Sequence, residues 1–338
     1  MITPNAIDYC DLKGLVTPVL MVVIDTEEEF DWSCEHSRDY TAVKSMKWIA
    51  RVQDIFDEYG ITPIYVIDYP VVSQEEGYRP LQDIYDVGRC EIGAHLHPWV
   101  NPPFEEPVSR VNSFPGNLPY ELESKKLEVL GQMIGEKFGS FPVIYKAGRY
   151  GIGPRTAEIL EGQGYEVDLS VCPHMDWSSE GGPNFDHHVS WPYWFGIHRR
   201  MLELPLTSGY SGLLRQWGCG LHEVASRPAL GWLHGVGIMA RLGLLNKVRL
   251  TPEGFFEAEL ISLMKALYQD GLRVFNLAFH SPSVEPGNTP YVNSLSELES
   301  FLSCLRRVLD FFFGELSGQP TTPLDLKTRL TVSDRAVK

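Results

Sequence analysis

Apolar runs of strand length alternate along this chain with stretches of helical spacing. Pro18 to Asp25 (PVLMVVID) is apolar up to its final acid, the pattern of a strand buried on both faces. Thr41 to Tyr59 has helical periodicity and stops at Gly60. Thr62 to Asp68 predicts a second strand, Gln74 to Val87 a helix ending at Gly88, and Cys90 to His95 a short third strand. Tyr120 to Phe138 reads as a long helix followed by Gly139, and Val143 to Ala147 as a fourth strand. Pro154 to Gln163 predicts a helix with proline in its first turn, and Glu166 to Val171 a fifth strand. Leu202 to Leu206 and Val274 to Phe279 predict later strands, Phe255 to Gln269 and Ser296 to Phe313 later helices.

The repeated order of helix, glycine and strand means parallel strands joined by crossover helices. Polar and titratable residues gather at the strands' C-terminal ends, where barrel enzymes place their sites. No glycine-rich phosphate loop follows the first strand, which disfavours a nucleotide-binding fold. The rhythm breaks over residues 172–250, a stretch rich in Gly, Pro, Trp and His that is expected to be an insertion walling or covering the site. Residues 1–316 are expected to form one barrel, and 317–338 a loosely held tail.

Composition narrows the function classes. With 44 acidic against 29 basic residues the net charge is -15, which argues against a nucleic-acid surface or a polybasic membrane anchor. An uncharged carbohydrate needs no such field. The six cysteines are scattered without C-x-x-C spacing, so a zinc knuckle is not expected and reduced thiols in a cytoplasmic protein are. The N-terminal MITPNAIDYCDLKG lacks the pattern of a secretory signal. Ala229 to Leu245 is the nearest approach to a membrane span, but His234, Arg241 and its glycines interrupt it, so a packed helix or insertion is expected.

Two short dyads carry the candidate chemistry. Asp25 ends the first strand with Glu27 two residues on, and extended backbone points residues two apart to one side. The spacing is equally compatible with a solvated acidic loop, since Glu28, Glu29 and Asp31 follow. His95 and His97 repeat the arrangement after the third strand, in GAHLHPW. Two imidazoles with one or two carboxylates suit a divalent metal, Zn²⁺ first among the transition metals. A carboxylate free of the metal would serve as base, and the spacing does not say whether that is Asp25 or Glu27. Arg149, in KAGRYGIGP, is a candidate to orient a carboxylate through paired hydrogen bonds. Asp168, in the fifth strand, needs a partner if buried, Arg149 being the first candidate. His280, in NLAFHSPS, is a candidate acid for a leaving amine. Trp99, Tyr150 and Trp177, with Trp191 and Trp194, are candidates for a sugar-stacking wall, although tryptophans are as often core.

The order of these motifs resembles the polysaccharide deacetylases, also called the NodB-homology or carbohydrate esterase family 4 fold, from about Val19 to Pro290. VIDTEEEFDW stands in place of the family's acidic motif, EIGAHLHPW in place of its histidine motif, and AGRYG and FHSPS in place of its arginine and last histidine motifs. DTEEEFDW and HSPSVEPGNTPYV look most like a subgroup found near bacterial surface-polysaccharide genes. The resemblance implies a distorted (β/α)₇ barrel and metal-dependent hydrolysis of N-acetyl groups on sugars or of related amides. Two departures stand out. Thr26 replaces the second Asp of the family's adjacent pair, so the ligand role passes to Glu27. Trp99 stands where the family's second His would be, so that role passes to His97.

The expectation is a hydrolase of N-acetylated sugar, with Asp25 as base, Glu27, His95 and His97 as ligands, Arg149 holding Asp25, and His280 as acid. The alternatives on the same barrel are a hydrolase of small linear or cyclic amides and an inactive carbohydrate-binding protein. An amidohydrolase-type barrel also uses His-x-His, but places it on the first strand, which here carries acids.

Overall fold

The computed structural model describes residues 8–218, 220, 221, 239 and 242–336. Most of the Ala229 to Leu245 stretch therefore lies outside the described residues.

The apolar runs become a curled, mainly parallel sheet. Its strands are β1 (Val19–Thr26), β2 (Ile64–Ile67), β3 (Glu91–Leu96), β4 (Ile144–Ala147), β5 (Val167–Asp168), β6 (Tyr193–Phe195), β7 (Met201–Glu203) and β10 (Val274–His280). Their spatial order is β10-β1-β2-β3-β4-β5-β7-β6. All neighbours pair in parallel except β6, which lies antiparallel on β7. Every residue of β1 is buried, as its unbroken apolar run requires of a strand covered on both faces.

The expected helices are α1 (Ala50–Glu58), α3 (Glu75–Tyr85), α4 (Tyr120–Phe138), α5 (Thr156–Gly162), α6 (Glu257–Gln269) and α7 (Leu295–Asp310). Gly139 closes α4 at φ 82°, a left-handed conformation that costs glycine little. The expected helix over 41–59 begins instead as a 3-10 turn at Lys44–Trp48, and α2 (Tyr69–Ser73) is a short extra helix capped by the Asp68 side chain.

Within the region expected to be an insertion, β6 and β7 extend the main sheet, and β8 (Ser208–Ser211) pairs antiparallel with β9 (Asn246–Arg249) as a separate two-stranded sheet. SGYS and NKVR are too short and polar to announce themselves as strands. This region links the two edges of the curled sheet. Thr207 N–H donates to the Asn276 carbonyl, Leu250 N–H to Thr207, and Ala278 N–H to Leu250, at 3.1, 2.7 and 3.1 Å. The C-terminal stretch adds β11 (Gln319–Pro320) beside β1 and then α8 (Pro323–Ala336), whose Leu326 and Leu330 are buried.

Candidate active site

Strand register decides which side chains meet. Asp25 pairs with His280 on β10 and with Val66 on β2, Val66 with Gly93 on β3, and His95 with Lys146 on β4. Register partners on parallel strands share a face, as do residues two apart. Asp25, His280, His95 and Lys146 therefore project to one side, and Glu27 and His97 continue that side past the strand ends.

A tight donor cluster results. Glu27 Oε2 lies 3.5 Å from Nε2 of both His95 and His97. All three residues are buried, and Glu27 Oε1 has no hydrogen-bond partner. Each imidazole is oriented through its other nitrogen. His95 Nδ1 is 2.9 Å from the Lys146 carbonyl, which only accepts, so that nitrogen carries the proton and Nε2 keeps its lone pair. His97 Nδ1 is 2.8 Å from Glu28 Oε2, while Trp99 Nε1 donates to Glu28 Oε1 at 2.8 Å. Burial, chiefly, holds His95 down at about 3 and His97 at about 4. Both rings are therefore neutral at neutral pH.

These donors fit a divalent ion. Bonds of about 2.0–2.2 Å in tetrahedral geometry place neighbouring donors about 3.3–3.6 Å apart, which is the separation seen here. A buried carboxylate oxygen without a partner is otherwise costly. Burial, with the nearby acids Glu28, Asp25, Asp68 and Glu253, pushes the Glu27 carboxyl well up. Gly148 makes room for it, since a Cβ there would come within 2.4 Å of the His97 ring.

Asp25 is gripped by Lys146, not by Arg149. Lys146 Nζ donates to Oδ1 at 2.5 Å and to Oδ2 at 2.7 Å. Burial alone would raise this carboxyl, but the Lys146 ammonium, with His95 and His280, outweighs burial and holds it below the usual range. Arg149 sits three residues beyond Lys146, in a turn where Arg149 and Tyr150 have φ 54° and 57°. That turn aims its guanidinium at Ser113 Oγ and at Glu180, both at 2.5 Å. The expected pairing of Arg149 with Asp25 or Asp168 is thus corrected.

Asp168 belongs to the other face of the sheet. It pairs in register with Tyr145 and with Glu203, and Tyr145 has the opposite parity to Lys146. Its carboxyl accepts from Ser170 Oγ and is pushed up to about 6, chiefly by burial. That placement removes Asp168 from the reacting group.

His280 lies at the cavity mouth. Its Nδ1 is 2.7 Å from Glu253 Oε2, and its Nε2 is 3.8 Å from Asp25 Oδ2. Burial lowers its pKa, but Glu253, and Asp25 after it, outweigh burial and raise it. Asp25 and His280 therefore sit side by side with opposite shifts, one favouring the anion and the other the cation.

Among the aromatic candidates, Tyr150 lines the cavity beside Asp25 and stacks on Trp177 at 5.1 Å. Trp99 is 2% exposed and stacks on His97 at 4.3 Å, so it props a histidine and offers no open face. Trp191 packs within 4.0 Å of where a Gly271 Cβ would stand, near the start of β10 and away from the site. Trp32, not among the candidates, sits edge-on to His280 at 5.0 Å. Lys146, Glu28, Asp68 and Glu253 were also missed. Lysine inside an apolar strand (VIYKA) and aspartate at a strand end (YVID) were available signals for two of them.

No protein-family model matches the chain, and no curated protein matches it in sequence. Its likeness is to solved structures. A protein described as a polysaccharide deacetylase, from Mycobacterium smegmatis, matches with a TM-score of 0.57 and 14% identity, over 99% of this chain and 96% of that one. The Puue allantoinase matches with a TM-score of 0.52 and 14% identity, over 97% and 93%. The chain has the fold of these proteins, a curled parallel sheet with helices around it, as its motif order implied.

Proposed function

We propose that this protein is a metal-dependent hydrolase that removes N-acetyl groups from a carbohydrate. The observation that carries the reading is the convergence of Glu27, His95 and His97 beside the Asp25 and His280 pair at one end of the sheet. The fold shared with the Mycobacterium smegmatis protein supports the substrate class.

Glu27, His95 and His97 would hold the ion, with Zn²⁺ suited to two nitrogen donors and one oxygen donor. When bound, it would polarise the amide carbonyl and acidify a water. Asp25, fixed by Lys146, accepts the proton of the attacking water. His280, whose pKa Glu253 raises, donates to the departing nitrogen. Opposite shifts in two neighbouring groups are what base and acid duties at one pH require. A cleft of about 460 Å³ lined by Trp32, His36, Arg110, Arg149 and Glu180 supplies the approach for a sugar chain, with Trp32 as a stacking face. Cys10, Cys34, Cys90, Cys172 and Cys304 carry free thiols, which supports a reducing, cytoplasmic setting. No described helix is long and apolar enough to cross a membrane.

The test is metal content and acetate release on the purified full chain. About one equivalent of metal is expected, lost in His95→Ala, together with acetate release from N-acetylglucosamine oligosaccharides, lost in Asp25→Asn. Likeness to the allantoinase fold supports a second reading, hydrolysis of small linear or cyclic amides. Cleavage of those without acetate release selects it. Metal-free protein that binds sugar without cutting it sinks both.

A further inference from the structure

The cavity beside Asp25 is itself walled by the reacting pair. It measures about 20 Å³ and is lined by Asp25, Tyr150, Arg249, Thr251, Glu253, His280 and Tyr291, with Leu206, Ala278 and Phe279. A volume of ~10–15 Å³ on this measure holds one water, so the space admits one or two water-sized groups and excludes a sugar ring.

Arg249 comes to this cavity from the end of β9 and is only partly exposed. It shares the cavity wall with the tyrosines Tyr150 and Tyr291. The acids around it are already engaged. Asp25 is paired with Lys146. Glu253 accepts from His280 N–H and from Ser283 Oγ on Oε1, and faces His280 Nδ1 on Oε2. Among the described residues Arg249 has no ion-pair partner. Glu253, the acid that acts on Arg249 across this cavity, is held by His280 and Ser283, so the guanidinium keeps donors for a small anion. Arginine's planar fork matches a carboxylate through two parallel hydrogen bonds.

We propose that Arg249 binds a carboxylate in this cavity. The inference rests on the hydrolase reading above and names the chemistry of what that site holds. The carboxylate has two sources. One is an acidic substituent of the substrate, such as a uronate. The other is the product: water oxygen bonds to the acyl carbon, the carbon–nitrogen bond breaks, the amine leaves with a proton, and the acid ionises to carboxylate.

The experiment uses the metal-loaded full chain as wild type, Arg249→Gln and Arg249→Lys, with metal content as the check that the site is folded. Sodium acetate is titrated calorimetrically. In parallel, kcat/KM is measured for N-acetylglucosamine oligosaccharides and for the same oligosaccharides oxidised to carboxylates at the sixth carbon. A product site predicts acetate binding weakened about tenfold to hundredfold in Arg249→Gln, and less in Arg249→Lys, with no preference between the substrates. A substrate site predicts that wild type prefers the oxidised substrate tenfold or more, and that Arg249→Gln erases the preference mainly through KM. Equal acetate affinity and equal substrate preference in wild type and Arg249→Gln overturn the proposal. If wild type cuts neither substrate, yet acetate binding still depends on Arg249, the hydrolase reading fails and the carboxylate site stands.

Discussion

Replacing Lys146 with methionine removes the only cation bonded to Asp25 among the described residues and keeps most of the stem's volume. Both partners are buried, at 2% and 4% exposure, with contacts of 2.5 and 2.7 Å. At that separation and an effective dielectric of ~20 the gross attraction is about 6 kcal/mol. Desolvating two charges consumes much of it, so the intact pair contributes little net. Removing one partner is different, because it leaves the buried Asp25 carboxylate only His280, 3.8 Å away, as an offset, which costs about 3 kcal/mol, the low end for a broken buried pair. Lys146→Met should therefore lower the unfolding free energy by that amount in a urea titration. Adding Asp25→Asn removes the orphaned charge, so Lys146→Met/Asp25→Asn should be about 2 kcal/mol or more stabler than Lys146→Met alone. Lys146 leads the groups that hold the Asp25 pKa down, so the acid limb of the pH–rate profile should move to higher pH in Lys146→Met. A loss under 1 kcal/mol, or a double variant no stabler than the single, would refute this account of how the base is held.

Glu28→Gln should weaken metal binding about 10–100-fold in competition with a chelator while preserving the fold, because one amide oxygen cannot serve both His97 Nδ1 and Trp99 Nε1. Glu253→Gln removes the main group raising the His280 pKa, so the alkaline limb of the rate profile should shift to lower pH; an unmoved limb excludes His280 as the acid. Glu123 is buried beside the Thr156 hydroxyl at 2.6 Å, and burial pushes it up to about 7. A carboxyl raised in the fold stabilises below its unfolded pKa and loses that contribution as pH rises through the folded value. Stability should thus fall by about 3 kcal/mol between pH 4.5 and 7 on this group's account, and Glu123→Gln should flatten the curve in that window.

The sequence by itself determined the sheet and the donor dyads. A strand buried on both faces is mostly apolar, so β1 and β10 were legible to within a residue of their ends, and the period of two in strands put Asp25 with Glu27 and His95 with His97 on common faces. The β8–β9 pair left no such trace, because its short, polar strands are held by packing and not by pattern. Which cation meets Asp25 was equally invisible. Arg149 and Lys146 lie three residues apart, and only the left-handed turn at Arg149 and Tyr150 sends the arginine to Glu180 while register carries the lysine to Asp25. Asp168 was lost the same way, by falling on the opposite parity of its strand. Local pattern states where a side chain points relative to its own backbone. Partners on strands more than a hundred residues apart are assigned by register and turn geometry, which belong to the tertiary structure alone.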